Sequence, residues 1–113
     1  MQPKRIHYKD VLPEIMGEQH GAKDIAMRTV IGPQDGAPNF HMRILTFGPG
    51  GHSPSHSHPW EHENFVVSGN GELEVDGTVY PLAPGDVAFV PPDRHHQFRS
   101  AQGMELMCLI PKP

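Results

Sequence analysis

Short strand-like runs, turn signals at roughly 8–12-residue intervals and the lack of a sustained helical period predict an all-β single domain. A jelly-roll β-barrel fits best, because folding one sheet over another hides the strand edges. An immunoglobulin-like sandwich is disfavoured, since its Cys…Trp…Cys pattern needs two cysteines and the chain has one. The 113 residues suit one domain, expected over 1–113 with a barrel core at about 25–111. Gly (12) and Pro (13) exceed a fifth of the chain and fall between the β-like runs, where they mark turns.

Taken in order, residues 9–20 hold the one helix candidate, so at most one short helix is expected near the N-terminus. Pro13 and Gly17 limit its length. Ala26 to Ile31 reads as a strand closed by Gly32-Pro33. Phe40 to Phe47 reads as a longer one, closed by Gly48-Pro49-Gly50-Gly51. His62 to Ser68 follows, and then a hairpin of Glu72–Val75 and Thr78–Leu82 around Asp76-Gly77, a favoured two-residue turn. Val87 to Val90 reads as a buried strand stopped by Pro91-Pro92. His95 to Ser100 and Met104 to Ile110 complete the set.

Net charge is −4, and no basic block marks a nucleic-acid or anionic-membrane partner. Cys108 is the sole cysteine, so no intrachain disulfide forms. Met1 to Asp10 lacks the apolar stretch of a signal peptide, and no run approaches the ~20 apolar residues of a spanning helix. A cytoplasmic location is the expectation.

Nine histidines are the compositional outlier. His52, His56, His58 and His62 crowd one stretch, with His95 and His96 later in the chain. A lone loop histidine is ordinarily solvent-facing, but an internal cluster of this density points to metal. On a strand, His56 and His58 share a face. Pro59 favours a bend that returns His62 to the same interior, and His96 closes the set from a distance. Four neutral imidazoles leave the ion's full charge, and so its Lewis acidity, intact. Imidazole suits zinc, copper, iron and nickel, and manganese less strongly, so ligand type alone leaves the ion open. His95, beside His96, is expected to point away. His52 shares the parity of His56 and is a candidate for the pocket entrance. His7, His20 and His41 read as ordinary residues.

These residues resemble the two motifs of the cupins. The first, G-x5-H-x-H-x3-E-x6-G, is met by Gly50, His56, His58 and Gly69, with His62 in the glutamate position. The second, G-x5-P-x-G-x2-H, is met by Gly85, Pro91 and His96, with Asp93 in place of the glycine. The run His56-Ser57-His58-Pro59-Trp60-Glu61-His62-Glu63 is similar to small four-histidine cupins that bind manganese. The resemblance implies a homodimeric cupin jelly roll holding one divalent ion per chain. That ion is manganese, with iron, nickel, copper or zinc as alternatives, and two of its positions are open. It also implies oxidative chemistry, because His62 removes the carboxylate that other members can use as a base.

Three more residues, with His52, are pocket candidates. Cys108 reads as a small buried hydrophobe or as a thiol facing the cavity. Arg43 reads as a solvated outward charge or as an anchor for an anionic group. Phe98 shares the strand face of His96. Trp60 and Phe65 read as interface aromatics, and Trp60 alternatively as a shield over the metal. Glu61 and Glu63 flank His62 and are expected on the opposite face. The leading expectation is a metal-dependent oxidoreductase using dioxygen or a peroxide on a small organic substrate. A non-catalytic small-molecule or metal-sensing module and a metal-assisted isomerase or lyase are the alternatives.

Overall fold

A computed structural model describes residues 1–113. Nine strands follow in chain order: β1 (Glu14–Met16), β2 (Lys23–Ile31), β3 (Phe40–His52), β4 (His62–Gly69), β5 (Gly71–Val75), β6 (Thr78–Leu82), β7 (Val87–Val90), β8 (His96–Ser100) and β9 (Met104–Pro111). The fold is all-β, as expected, and the N-terminal stretch forms no α-helix, within the limit of at most one short one. Residues 8–20 contain two single 3-10 turns, Tyr8–Asp10 and Glu18–His20, around β1. Pro13 removes a donor that a helix would need, and Glu14–Met16 instead pairs with Ile25–Met27 of β2. No helix is long and apolar enough to cross a membrane.

The strands form one curled sheet in the order β6-β5-β8-β3-β9-β4-β7, with β2 also on β3 and β1 on β2. The Asp76-Gly77 hairpin forms as the sequence predicts. Both residues have positive φ (47° and 87°), the requirement of a type I′ turn. Two strand expectations need correction. Gly48 to Gly51 does not stop the third strand, because β3 runs on to His52. A Cβ at Gly51 would sit 2.8 Å from the Asp24 carbonyl oxygen, so glycine lets the chain pass close to β2. Beyond it, Gly51 and His52 pair with Ser100 and Arg99 of β8. The run Val87–Val90 is not buried throughout: Val90 is fully enclosed, whereas Val87 and Phe89 face outward at the sheet edge.

The core lies inside the curl. Ile25, Val66, Val90 and Leu106 are its most enclosed large side chains, packed with Phe47, Leu73 and Phe98. Each such side chain contributes about 1.5–3 kcal/mol by burial. On β3, β9 and β4 the inward positions align in rows across the sheet. Leu45, Leu106 and Val66 make one row. Arg43, Cys108 and Asn64 make the next, directly below the histidines.

Candidate metal centre

One loop and two strands deliver the four histidines. His62 opens β4 and His96 opens β8, and both are buried. His56 and His58 lie in the connection before β4 rather than on a strand, which corrects the strand-parity argument. Backbone bonds fix that connection instead. His56 N–H donates to the His96 carbonyl at 3.1 Å, and His96 N–H returns the bond at 2.8 Å. Asp93 N–H donates to the His58 carbonyl at 2.8 Å. Ser53 N–H donates to the Phe98 carbonyl, and the Ser53 hydroxyl accepts from Phe98 N–H, both at 2.8 Å. Asp93 has φ +67°, a left-handed conformation that aspartate tolerates and glycine adopts freely. That explains how Asp93 occupies a glycine position of the motif.

His58 and His96 each touch the other three rings. Centroids are 5.0 Å apart for His56–His58 and His56–His96, and 4.9 Å for His58–His96 and His62–His96. The His58–His62 separation is 5.4 Å. One ring nitrogen from each of His56, His58 and His96 lies within 4.8 Å of the others, a spacing that fits one metal ion. His62 adjoins this trio, its Nε2 being 3.1 Å from His96 Nε2.

The outer partners prepare these rings as ligands. His58 Nδ1 donates to the Trp60 carbonyl at 2.7 Å, and His96 Nδ1 donates to the Arg94 carbonyl at 2.9 Å. Each bond fixes the tautomer that leaves Nε2 as a bare lone pair facing the cluster. His62 Nδ1 meets the Asn64 amide nitrogen at 2.9 Å, while Asn64 Oδ1 is buried without a partner. Exchanging the two ends of that amide sets Oδ1 against an Nδ1–H and frees His62 Nε2 as a fourth lone pair. With that tautomer His62 offers Nε2 to the cluster, and the amide NH2 takes the enclosed position that the oxygen held. Burial, and then the charges of His96 and His58, hold His62 down to about 3. Burial likewise lowers His56 and His96. These three shifts favour the neutral ring, the form that metal ligation requires.

The cluster forms one wall of a cavity of about 130 Å³. Phe98, Leu45, Leu106 and Met27 supply apolar surface, and Trp60 stands at the half-exposed rim, stacked on His58 at 4.2 Å. Arg43, Phe98 and Cys108 all line it. Arg43 thus projects inward rather than into solvent, and Cys108 is both buried and on the cavity wall. His52 is a correction. Its Nδ1 bonds the Ser53 carbonyl at 2.9 Å and its ring lies outside the cavity, because the chain turns at Ser53-Pro54 and parity with His56 is lost. His95 points away and bonds Ser55 Oγ at 2.8 Å, and Glu61 and Glu63 are exposed. Asn64, Met16 and Met27 were not singled out by the sequence reading. The pairing of Asn64 with His62 two residues earlier was the available signal for the first.

Residues 43–110 match the family described as Cupin domain. The chain is 30% identical, over its whole length and 75% of the relative, to a Streptomyces cyaneus protein named Polyketide synthase CurC. The structure of the polyketide cyclase RemF from Streptomyces resistomycificus superposes with a TM-score of 0.92 and 33% identity, covering 99% of this chain and 81% of that one. A 5-nitrosalicylic acid 1,2-dioxygenase from Bradyrhizobium is 40% identical over 62 residues, 55% of this chain and 30% of that protein.

Proposed function

This chain belongs to the cupin family, and on that footing we propose that it is a metal-dependent enzyme closing rings on a poly-β-ketone or similar enolisable carbonyl substrate. The ion we propose is manganese, held by His56, His58, His62 and His96, on the resemblance of this set to the four-histidine manganese cupins. When bound, such an ion supplies Lewis acidity toward a carbonyl oxygen.

The observation that carries the reading is the cavity's lining: histidines on one wall, mostly apolar side chains elsewhere with Arg43 and Asn64 among them, and no carboxylate. Phe98, Leu45 and Leu106 exclude water from the reacting segment. The space matches one ring or a segment of similar size, since an apolar cavity of about 150 Å³ holds benzene. A longer substrate would extend past Trp60 at the rim. β-Dicarbonyl C–H groups are acidic enough to ionise without a strong base, so a pocket lacking Asp and Glu suits them. The two relatives named for polyketide chemistry align over essentially the whole chain, which supports the same substrate class.

The second reading is the dioxygen- or peroxide-using oxidoreductase, favoured by the dioxygenase relative. Met16, Met27 and Cys108 in the cavity count against a peroxide as the working oxidant, because thioethers and thiols are its ready targets. The assembly we propose is a homodimer over the outer face of β4 and β7, where Phe65, Val87 and Phe89 are exposed.

The test is incubation of metal-loaded protein with a linear 3,5,7-triketo thioester, whose C2 attacks the C7 carbonyl to close a six-membered ring as that oxygen leaves as water, under argon and followed by mass spectrometry. The expected product is cyclised and lighter by one water, and His58→Ala abolishes it. Turnover only in air, with oxygen consumed, would replace this reading by the oxidoreductase.

A further inference from the structure

Arg43 projects from the middle of β3 into the cavity, one row below the histidines. Its guanidinium makes no ion pair; the molecule's ion pairs are Lys4–Asp35, Arg94–Asp76 and Arg99 with Glu72 and Glu74. Nη1 lies 3.6 Å from Met27 Sδ and Nη2 lies 3.7 Å from Cys108 Sγ, both weak acceptors. Nε is buried with no partner at all. A half-buried cation whose Nε is wholly enclosed and unpaired is costly, and proteins normally pair it. Cys108 does not supply the missing charge. Burial raises its thiol despite the neighbouring guanidinium, so the pair is cation and neutral thiol. Arg43 and the four histidines line the same cavity, so one small molecule there meets both.

We propose that Arg43 is a substrate-binding residue that pairs with an anionic oxygen of the ligand, making the cavity selective for small organic anions over neutral molecules of the same shape. The guanidinium offers several N–H donors in one plane, a match for a carboxylate or for the delocalised oxygens of a β-dicarbonyl enolate. The anion supplies the charge that the fold withholds, and Met27 and Cys108 hold the fork without competing for it. This rests on the reading of the cavity as a substrate pocket, but it does not need the metal.

Binding followed by Trp60 fluorescence separates the two claims, because Trp60 is the only tryptophan and stands at the cavity rim. Metal-free protein is titrated at pH 7.5 with benzoate, with its neutral isostere benzamide, and with trifluoroacetylacetone, a β-diketone whose fluorines make it acidic enough to be mostly the enolate at that pH. Both anions are expected to bind at least about ten-fold more tightly than benzamide. Arg43→Met loses that preference, while Arg43→Lys keeps part of it. Arg43→Met is also expected to melt at a higher temperature than the parent, since it removes an unpaired, half-buried charge. A preference for benzoate alone assigns a carboxylate as the partner, and a preference for the enolate alone assigns the reacting oxygens. Equal binding of anions and benzamide, or an anion preference that survives in Arg43→Met, overturns the proposal. Failure of ring closure with the preference intact overturns only the proposed reaction.

Discussion

His62 Nε2 and His96 Nε2 face each other at 3.1 Å, although the two residues lie 34 positions apart in the chain. Both are buried, and the ring contacts of His58 complete the same cluster. Two nitrogens of this kind share a proton or a cation. The carbonyl of Arg94 holds the proton of His96 on Nδ1, and Asn64 is placed to do the same for His62.

Asn64 should therefore govern metal affinity without being a ligand. Asn64→Leu is expected to weaken metal binding by roughly 10–100-fold, and Asn64→Asp, which still accepts from Nδ1–H, by far less. Chelator competition measures both. Equal affinities for the parent and Asn64→Leu would count against His62 as a ligand through Nε2.

The metal-free protein should lose stability in acid through its histidines. His62 is held down to about 3, against an ordinary value of about 6.5 when the chain unfolds. The unfolded chain then binds a proton that the folded one refuses. This contribution is complete above about pH 6.5 and is lost as the pH falls toward 3. Thermal melts of chelator-treated protein should show Tm falling through that window, with a shallower fall in His62→Gln. Identical slopes for the two proteins would contradict the assignment.

Much of this arrangement is legible in the residue order. Asp76-Gly77 announces the hairpin, and the spacing of His56, His58, His62 and His96 identifies the cluster, because turn chemistry and motif spacing are local. The failures come where neighbours override local signals. Gly48 to Gly51 looks like a stop, yet partners on β2 and β8 keep it extended. Residues 9–20 lack any strand alternation, yet Ile15 finds a partner in Ala26. Parity places His52 beside His56 only if the chain stays straight, and Pro54 prevents that. The inward aim of Arg43 depends on which face of β3 the curled sheet encloses, a long-range outcome.

Gly69 should be far less replaceable than Gly77, although both have positive φ. A Cβ at Gly69 would lie 2.3 Å from the Gly103 carbonyl oxygen, whereas one at Gly77 meets nothing within 4 Å. Gly77→Ala carries the backbone cost alone, about 1–2 kcal/mol. Gly69→Ala must also move backbone and is expected to cost about 3 kcal/mol or more by urea denaturation. Comparable losses would show that the β4–β5 connection is looser than the structure has it.

The proposed dimer face has its own check. Val87 and Phe89 are 77% and 56% exposed on the edge strand β7. Light scattering should give a dimer for the parent and a monomer for Val87→Glu combined with Phe89→Glu. A monomeric parent, or a dimer in the double variant, would place the interface elsewhere or remove it.

The central claim is that His56, His58, His62 and His96 hold one ion. Elemental analysis after manganese reconstitution and desalting tests it most directly, on the parent and on His58→Ala combined with His96→Ala. The account predicts about one equivalent per chain in the parent and under about a tenth in the variant, whose circular dichroism should remain that of a β-barrel. Less than about half an equivalent in the parent, or equal loading in the two proteins, would contradict it.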